Sequence, residues 1–86
     1  MSPIMGTKDD FDWQARINID LEIMGGMPVV KGTRVALRYI VEALAAGASI
    51  DEVCEEFLIT EPDVRAALAY AAYALEDEVV HALPGR

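Results

Sequence analysis

This chain of 86 residues predicts a mainly α fold with a small N-terminal β element, on three observations. Arg16-Ile17-Asn18-Ile19-Asp20 alternates polar and apolar residues, the period of a strand with one buried face. Three glycines and a proline frame a short apolar run between Gly25 and Arg34. From residue 37 onward the apolar positions recur at helical spacing, and cap residues separate them into three stretches.

The β element comes first. The alternation over 16–20 predicts one short strand, and Met27-Pro28-Val29-Val30 predicts a second that can extend through Arg34 to Val35. Pro28 locks its own φ and pushes Met27 toward extended geometry, while Gly25, Gly26 and Gly32 permit turns on either side. The link 21–26 is long for a tight hairpin, so pairing within the chain and pairing across a dimer both remain open. Residues 1–12 show no apolar period and read as a mobile arm, with Trp13 as its docking residue. Residues 13–86 read as one domain, β-rich over about 13–35 and helical over about 36–83.

Leu37, Ile40, Val41 and Leu44 fall at i, i+3, i+4 and i+7, which predicts a helix that Gly47 ends. Ser49-Ile50-Asp51-Glu52 has the form of a capping box and starts a short second helix over about 50–57, with Ile50, Val53 and Phe57 inward. A hydroxyl cap at Thr60, the acids Glu61 and Asp63, and a first-turn Pro62 open a third helix. Its expected inward stripe is Val64, Ala67, Leu68, Ala71 and Leu75, and Pro84-Gly85 stops it. Three helices with short joints, the second of two turns, make a helix-turn-helix-like core behind one or two short strands.

Four segments in order, namely 16–20, Gly26-Met27-Pro28-Val29-Val30-Lys31-Gly32-Thr33-Arg34-Val35, Leu44-Ala45-Ala46-Gly47 and 65–72, resemble the Domain of Unknown Function 433 family. Its members are regarded as candidate antitoxins, VapB-like, of type II toxin–antitoxin pairs. The resemblance implies a homeodomain-like trihelical core and a PIN-like ribonuclease toxin as partner. Gly26, Pro28, Gly32, Thr33 and Arg34 are the signature residues that carry it. One departure is local: the family often has Pro after the aromatic residue closing the second helix, whereas Phe57-Leu58-Ile59-Thr60 is one residue shorter.

Composition bounds the function. A chain this short buries only roughly 60–65% of its unfolded surface, which makes a monomer marginal and favours a homodimer or higher oligomer. No run of about 18 apolar residues and no basic start followed by an apolar core are present, so the expected location is cytoplasmic. Cys54 has no second thiol and reads as a small apolar residue. The net charge is −8, yet residues 1–40 balance five cations against five anions. Residues 41–86 set Arg65 and Arg86 against ten acids and carry the whole excess.

That split divides the candidate sites. Arg16, Lys31, Arg34 and Arg38 are the candidates for contact with operator DNA, doubled in a dimer. Arg34 has a structural alternative, donating to carbonyls of the Gly-Pro turn or pairing with Asp20 or Glu42. The third helix is a poor reader of the major groove, because Glu61 and Asp63 at its start repel phosphates. Asp51, Glu52, Glu55 and Glu56 can steer toward the basic surface of an RNA-handling enzyme, as can Glu76-Asp77-Glu78. Tyr70 and Tyr73, three apart on the third helix, serve an interface or the core.

Catalysis has little support. His81 is alone in a final helical turn, the few hydroxyls are explained by caps and turns, and the glycine-rich segment lacks a phosphate-loop lysine. No cofactor and no metal are expected. The leading expectation is an antitoxin that binds and neutralises a ribonuclease toxin, with operator DNA as a further candidate partner. The alternative is an interaction or assembly module with no DNA role.

Overall fold

The computed structural model describes residues 11–82, with side chains as far as Glu76. The arm over 1–10, the Pro84-Gly85 stop and the side chains of Asp77, Glu78 and His81 lie outside the described residues. A 3₁₀ turn at Trp13–Arg16 leads into β1 (Ile17–Asn18), and a second at Met24–Gly26 leads into β2 (Val29–Val30). Three helices follow: α1 (Leu37–Ala45), α2 (Ile50–Phe57) and α3 (Glu61–Ala82). The mainly α class with a small N-terminal β element is the observed one. Among the described residues no helix is long and apolar enough to cross a membrane.

The strands pair antiparallel within the chain, Ile17 opposite Val30 and Asn18 opposite Val29. The signature segment closes on itself beyond β2. Thr33 N–H donates to the Val30 carbonyl at 3.0 Å, and Gly32 lies between them at φ +83°, as the third position of a type II turn requires. The Thr33 hydroxyl donates to the same carbonyl at 2.8 Å and accepts from Val35 N–H at 2.9 Å. Val29 bridges to Ala36, and Leu37 N–H donates to the Pro28 carbonyl at 2.9 Å. Gly-Thr is thus a hinge that folds the chain back so that Ala36 and Leu37 enter α1 already packed on β2. Val29 and Val30 are 0% and 4% exposed, which places this short strand at the centre of the domain.

The core joins Val30, Leu37, Ile40, Val53, Ile59, Val64 and Ala67. The C-terminus of α1 and both ends of α2 are closed by groups of their own. In α1 the N–H of Gly47 donates to Leu44 and that of Ala48 to Ala43, a Schellman ending around Gly47 at φ +108°. In α2 both halves of the predicted capping box form, at 3.0 Å from Glu52 N–H to Ser49 and 2.8 Å from Ser49 N–H to Glu52. The joint after α2 is made by Leu58, left-handed at φ 59°, while Ile59 N–H returns to the Cys54 carbonyl at 3.1 Å. A left-handed leucine costs about 1 kcal/mol relative to glycine. Its side chain is 87% exposed, so no burial offsets that cost.

Three expectations are corrected. The Thr60 cap is inverted: the Asp63 carboxylate accepts from Thr60 N–H at 3.0 Å and from its hydroxyl at 2.9 Å, and the hydroxyl caps nothing itself. Ile50, expected inward, is exposed at the first position of α2. Leu68 and Leu75, placed on the inner stripe of α3, are 42% and 52% exposed, whereas Ala66 is buried. The reason is tertiary. The helix is clasped on two sides, by α1 and α2 and by the Trp13–Arg16 turn, so its buried arc extends toward Ala66 and Tyr70. An alanine-rich helix is too weakly amphipathic for periodicity to detect that rotation.

Candidate protein-binding site

The acidic face is local to α2. Successive residues of a helix are 100° apart, so Asp51, Glu52, Glu55 and Glu56 occupy one contiguous arc, and all four are exposed. Asp51 and Glu55, like Glu52 and Glu56, stand four apart, a like-charge spacing that destabilises a helix by about 0.2–0.5 kcal/mol per pair. The helix dipole offsets part of this for Asp51 and Glu52 in the first turn. Glu52 is held by its cap. Asp51, Glu55 and Glu56 have no ion pair among the described residues, which leaves three carboxylates directed at solvent. Cys54 lies half-buried on the same helix; burial first, then Asp51, Glu61 and Asp63, pushes its thiol up, away from reactivity.

Arg16 and Lys31 line one cleft with Asp63, and Lys31 and Arg34 line a second, while two of the four basic candidates, Arg16 and Arg38, are held in ion pairs. Arg16 donates to Asp63 at 3.0 Å, tying the N-terminal turn to the start of α3. Burial pushes the Asp63 carboxyl up, but the Thr60 amide and hydroxyl and the Arg16 guanidinium outweigh it and hold the group below its ordinary value. Arg38 pairs with Glu42 at 3.1 Å, with both side chains more than half exposed, and lies 5.9 Å from the Tyr39 ring. Such an i, i+4 pair contributes only about 0.3–0.5 kcal/mol and is readily exchanged. Lys31 and Arg34 flank an open cleft with Asn18, Ile23, Gly32 and Thr33. Arg34 makes no hydrogen bond or ion pair among the described residues, and neither structural role considered for it forms.

Tyr70 and Tyr73 meet Trp13, with ring centroids 6.2 and 5.8 Å away and 6.5 Å from each other. Tyr70 is half-buried against the core, whereas Tyr73 is 62% exposed. Trp13 therefore docks the N-terminal turn, and the same trio leaves an aromatic surface beside Ile17 and Ile19. Phe11 extends the clasp: its ring lies 4.1 Å from the Arg65 guanidinium carbon. Tyr70 also lines, with Met27, Pro28, Leu37, Val41, Ala67 and Ala71, an apolar groove of about 290 Å³ between α1 and α3. That groove was not legible in the sequence, because its walls come from three separate segments whose residues read as ordinary core. Among the described residues no group of His, Cys, Asp and Glu is arranged to hold a metal ion.

Residues 17–71, from β1 through the Tyr70 turn of α3, match the model of the family described as "Protein of unknown function (DUF433)". The chain belongs to the DUF433 family. The matched span contains the whole signature turn, the capping box of α2 and the Leu58 joint. The crystal structure of Rv2018 from Mycobacterium tuberculosis is similar to this DUF433 chain, with a TM-score of 0.58 and 29% identity over 64% of the chain. The DUF433 chain covers 26% of that protein's length. No curated protein matches it.

Proposed function

We propose that this DUF433 protein is an antitoxin that neutralises a ribonuclease toxin of PIN-like type through the acidic face of α2. One observation carries the reading: Asp51, Glu55 and Glu56 stand exposed and unpaired among the described residues, on a helix whose dipole offsets only part of their mutual repulsion. A nuclease gathers cations to hold RNA phosphates. Carboxylates presented at helical spacing are attracted to that surface and compete for the same cations. No catalytic role is proposed for this chain.

The toxin to test is the product of a nuclease-sized reading frame adjacent to this gene, co-expressed and titrated at two salt concentrations. Glu55→Lys with Glu56→Lys is expected to weaken binding by at least about tenfold at low salt and to flatten its salt dependence. An unchanged affinity at low salt removes the α2 face from the interface. A neighbour that is harmless when expressed alone removes the antitoxin reading.

Operator binding is the second reading, and Lys31 and Arg34 on the turn after β2 favour it, since neither is paired among the described residues. Two cations supply little nonspecific affinity unless an oligomer or the toxin complex multiplies them. A gel shift with the promoter DNA, with and without toxin, is expected to lose its shifted band on Lys31→Ala with Arg34→Ala. The absence of any shift at low salt leaves the rival, an assembly module with no DNA role, which the engagement of Arg16 by Asp63 favours.

A further inference from the structure

β1 is an edge strand whose outer side is unpaired. The sheet has two strands, and among the described residues no further strand pairs with the far side of β1, where the Trp13–Arg16 turn reaches only as far as Ile17. Lys31 N–H donates to the Arg16 carbonyl at 2.8 Å, so the backbone groups of Arg16 and Asn18 face β2. Those of Ile17 and Ile19 therefore face outward, because successive residues of a strand alternate. Ile17 N–H is taken by the Gln14 carbonyl, whereas Ile19 has no backbone hydrogen bond among the described residues. Edge strands that stay single are ordinarily protected by charge, proline or a bulge. Here the edge presents Ile19, 59% exposed, beside Trp13 and the 62% exposed Tyr73.

The strand is also complementary to itself. In an antiparallel pair centred on Asn18, Ile17 of one copy faces Ile19 of the other, and Arg16 faces Asp20. Both apolar residues fall on one side and both charged residues on the other. Ile19 N–H then donates to the Ile17 carbonyl of the other copy, twice by symmetry, and Ile19 comes over the aromatic trio beside that Ile17. The pairing leaves the Asp20 turn intact, in which Ile23 N–H donates to the Asp20 carbonyl and Glu22 N–H to its carboxylate. Arg16 keeps 42% exposure while bonded to Asp63, enough to reach a second carboxylate.

We propose that two copies of this chain join through β1 in this register, as a two-fold dimer with a continuous four-stranded sheet β2-β1-β1-β2. The inference does not rest on the toxin-binding reading, and its test contains no toxin. In sedimentation analysis of the full chain, the wild type is expected at twice 9.4 kDa. Ile19→Lys, which sets a cation opposite an isoleucine on an exposed position, is expected at the monomer mass with unchanged helical circular dichroism. Register is read separately. In a Cys54→Ser background, Asn18→Cys places two thiols in a non-hydrogen-bonded pair about 4.5 Å apart between Cα atoms, within disulfide range. It is expected to crosslink under copper phenanthroline and air at least about tenfold faster than Leu58→Cys, an exposed position outside the strand, after α2. A monomeric wild type, a dimeric Ile19→Lys, or Asn18→Cys crosslinking no faster than Leu58→Cys each overturns the proposal.

Discussion

Ile40→Ala is expected to lower the thermal midpoint by about 15–25 °C. Ile40 is 0% exposed and sits among Leu37, Val53 and Val64 in the core. Truncating a buried isoleucine costs about 3–4 kcal/mol, as lost transfer energy and as a cavity that close-packed neighbours cannot fill. A domain of this size has only about 5–8 kcal/mol in total, and each kcal/mol moves its midpoint by about 4–8 °C. Leu68→Ala is the control, with similar apolar chemistry but 42% exposure on α3, and an expected cost under about 1 kcal/mol. Circular dichroism melts of both variants decide the matter. Comparable shifts would mean that Leu68 is inside and that the buried arc of α3 is as periodicity alone predicts.

Asp63→Ala is expected to cost about 2–3 kcal/mol, the second largest effect. Three groups converge on its carboxylate: the Thr60 amide, the Thr60 hydroxyl and the Arg16 guanidinium. Removing it uncaps α3 and releases the N-terminal turn at one stroke. The Arg16 partner is partly exposed, so its share is screened by salt and the cap carries more of the loss. The pH dependence has a definite sign. The folded carboxyl titrates below the ordinary value of 3.8, so the unfolded chain takes up the proton first as the pH falls. Stability from Asp63 is fully present at neutral pH, starts to fade near that ordinary value, and is lost as the pH passes through the folded one. Asp63→Asn cannot titrate. Urea unfolding at pH 7, 4 and 3 is expected to show the wild type ahead of Asp63→Asn at pH 7 and the gap narrowing below pH 4. A constant gap would show that the charge on Asp63 contributes nothing.

These two positions also mark where local reading works and where it fails. The Leu37-Ile40-Val41-Leu44 stripe, the Gly47 ending and the Ser49-Glu52 box depend on residues within one turn of each other, and all are found as the sequence predicts. The signature turn is legible for the same reason. Gly32 must supply a positive φ, and Thr33 closes the turn onto Val30, three residues before it, and Val35, two residues after it. The acidic arc of α2 is likewise local, since four carboxylates within six residues of a helix share a face wherever that helix packs.

Partnerships between distant residues were not legible. Arg16 and Asp63 are 47 residues apart, and nothing around Arg16 distinguishes a cation held by a carboxylate from one offered to phosphate. Trp13 with Tyr70 and Tyr73, Phe11 with Arg65, and the apolar groove between α1 and α3 are likewise products of packing. The sequence by itself determined the three helices, the Gly47 ending, the Ser49-Glu52 box, the Gly-Thr turn and the acidic arc of α2, because each follows from backbone geometry or composition over a few residues. Only the tertiary structure decided that β1 pairs with β2 inside one chain, which arc of α3 is buried, and that Ile19 is left on an open strand edge. Those outcomes depend on which surfaces meet, and that is set by the shape of the whole domain and not by the period of any one segment.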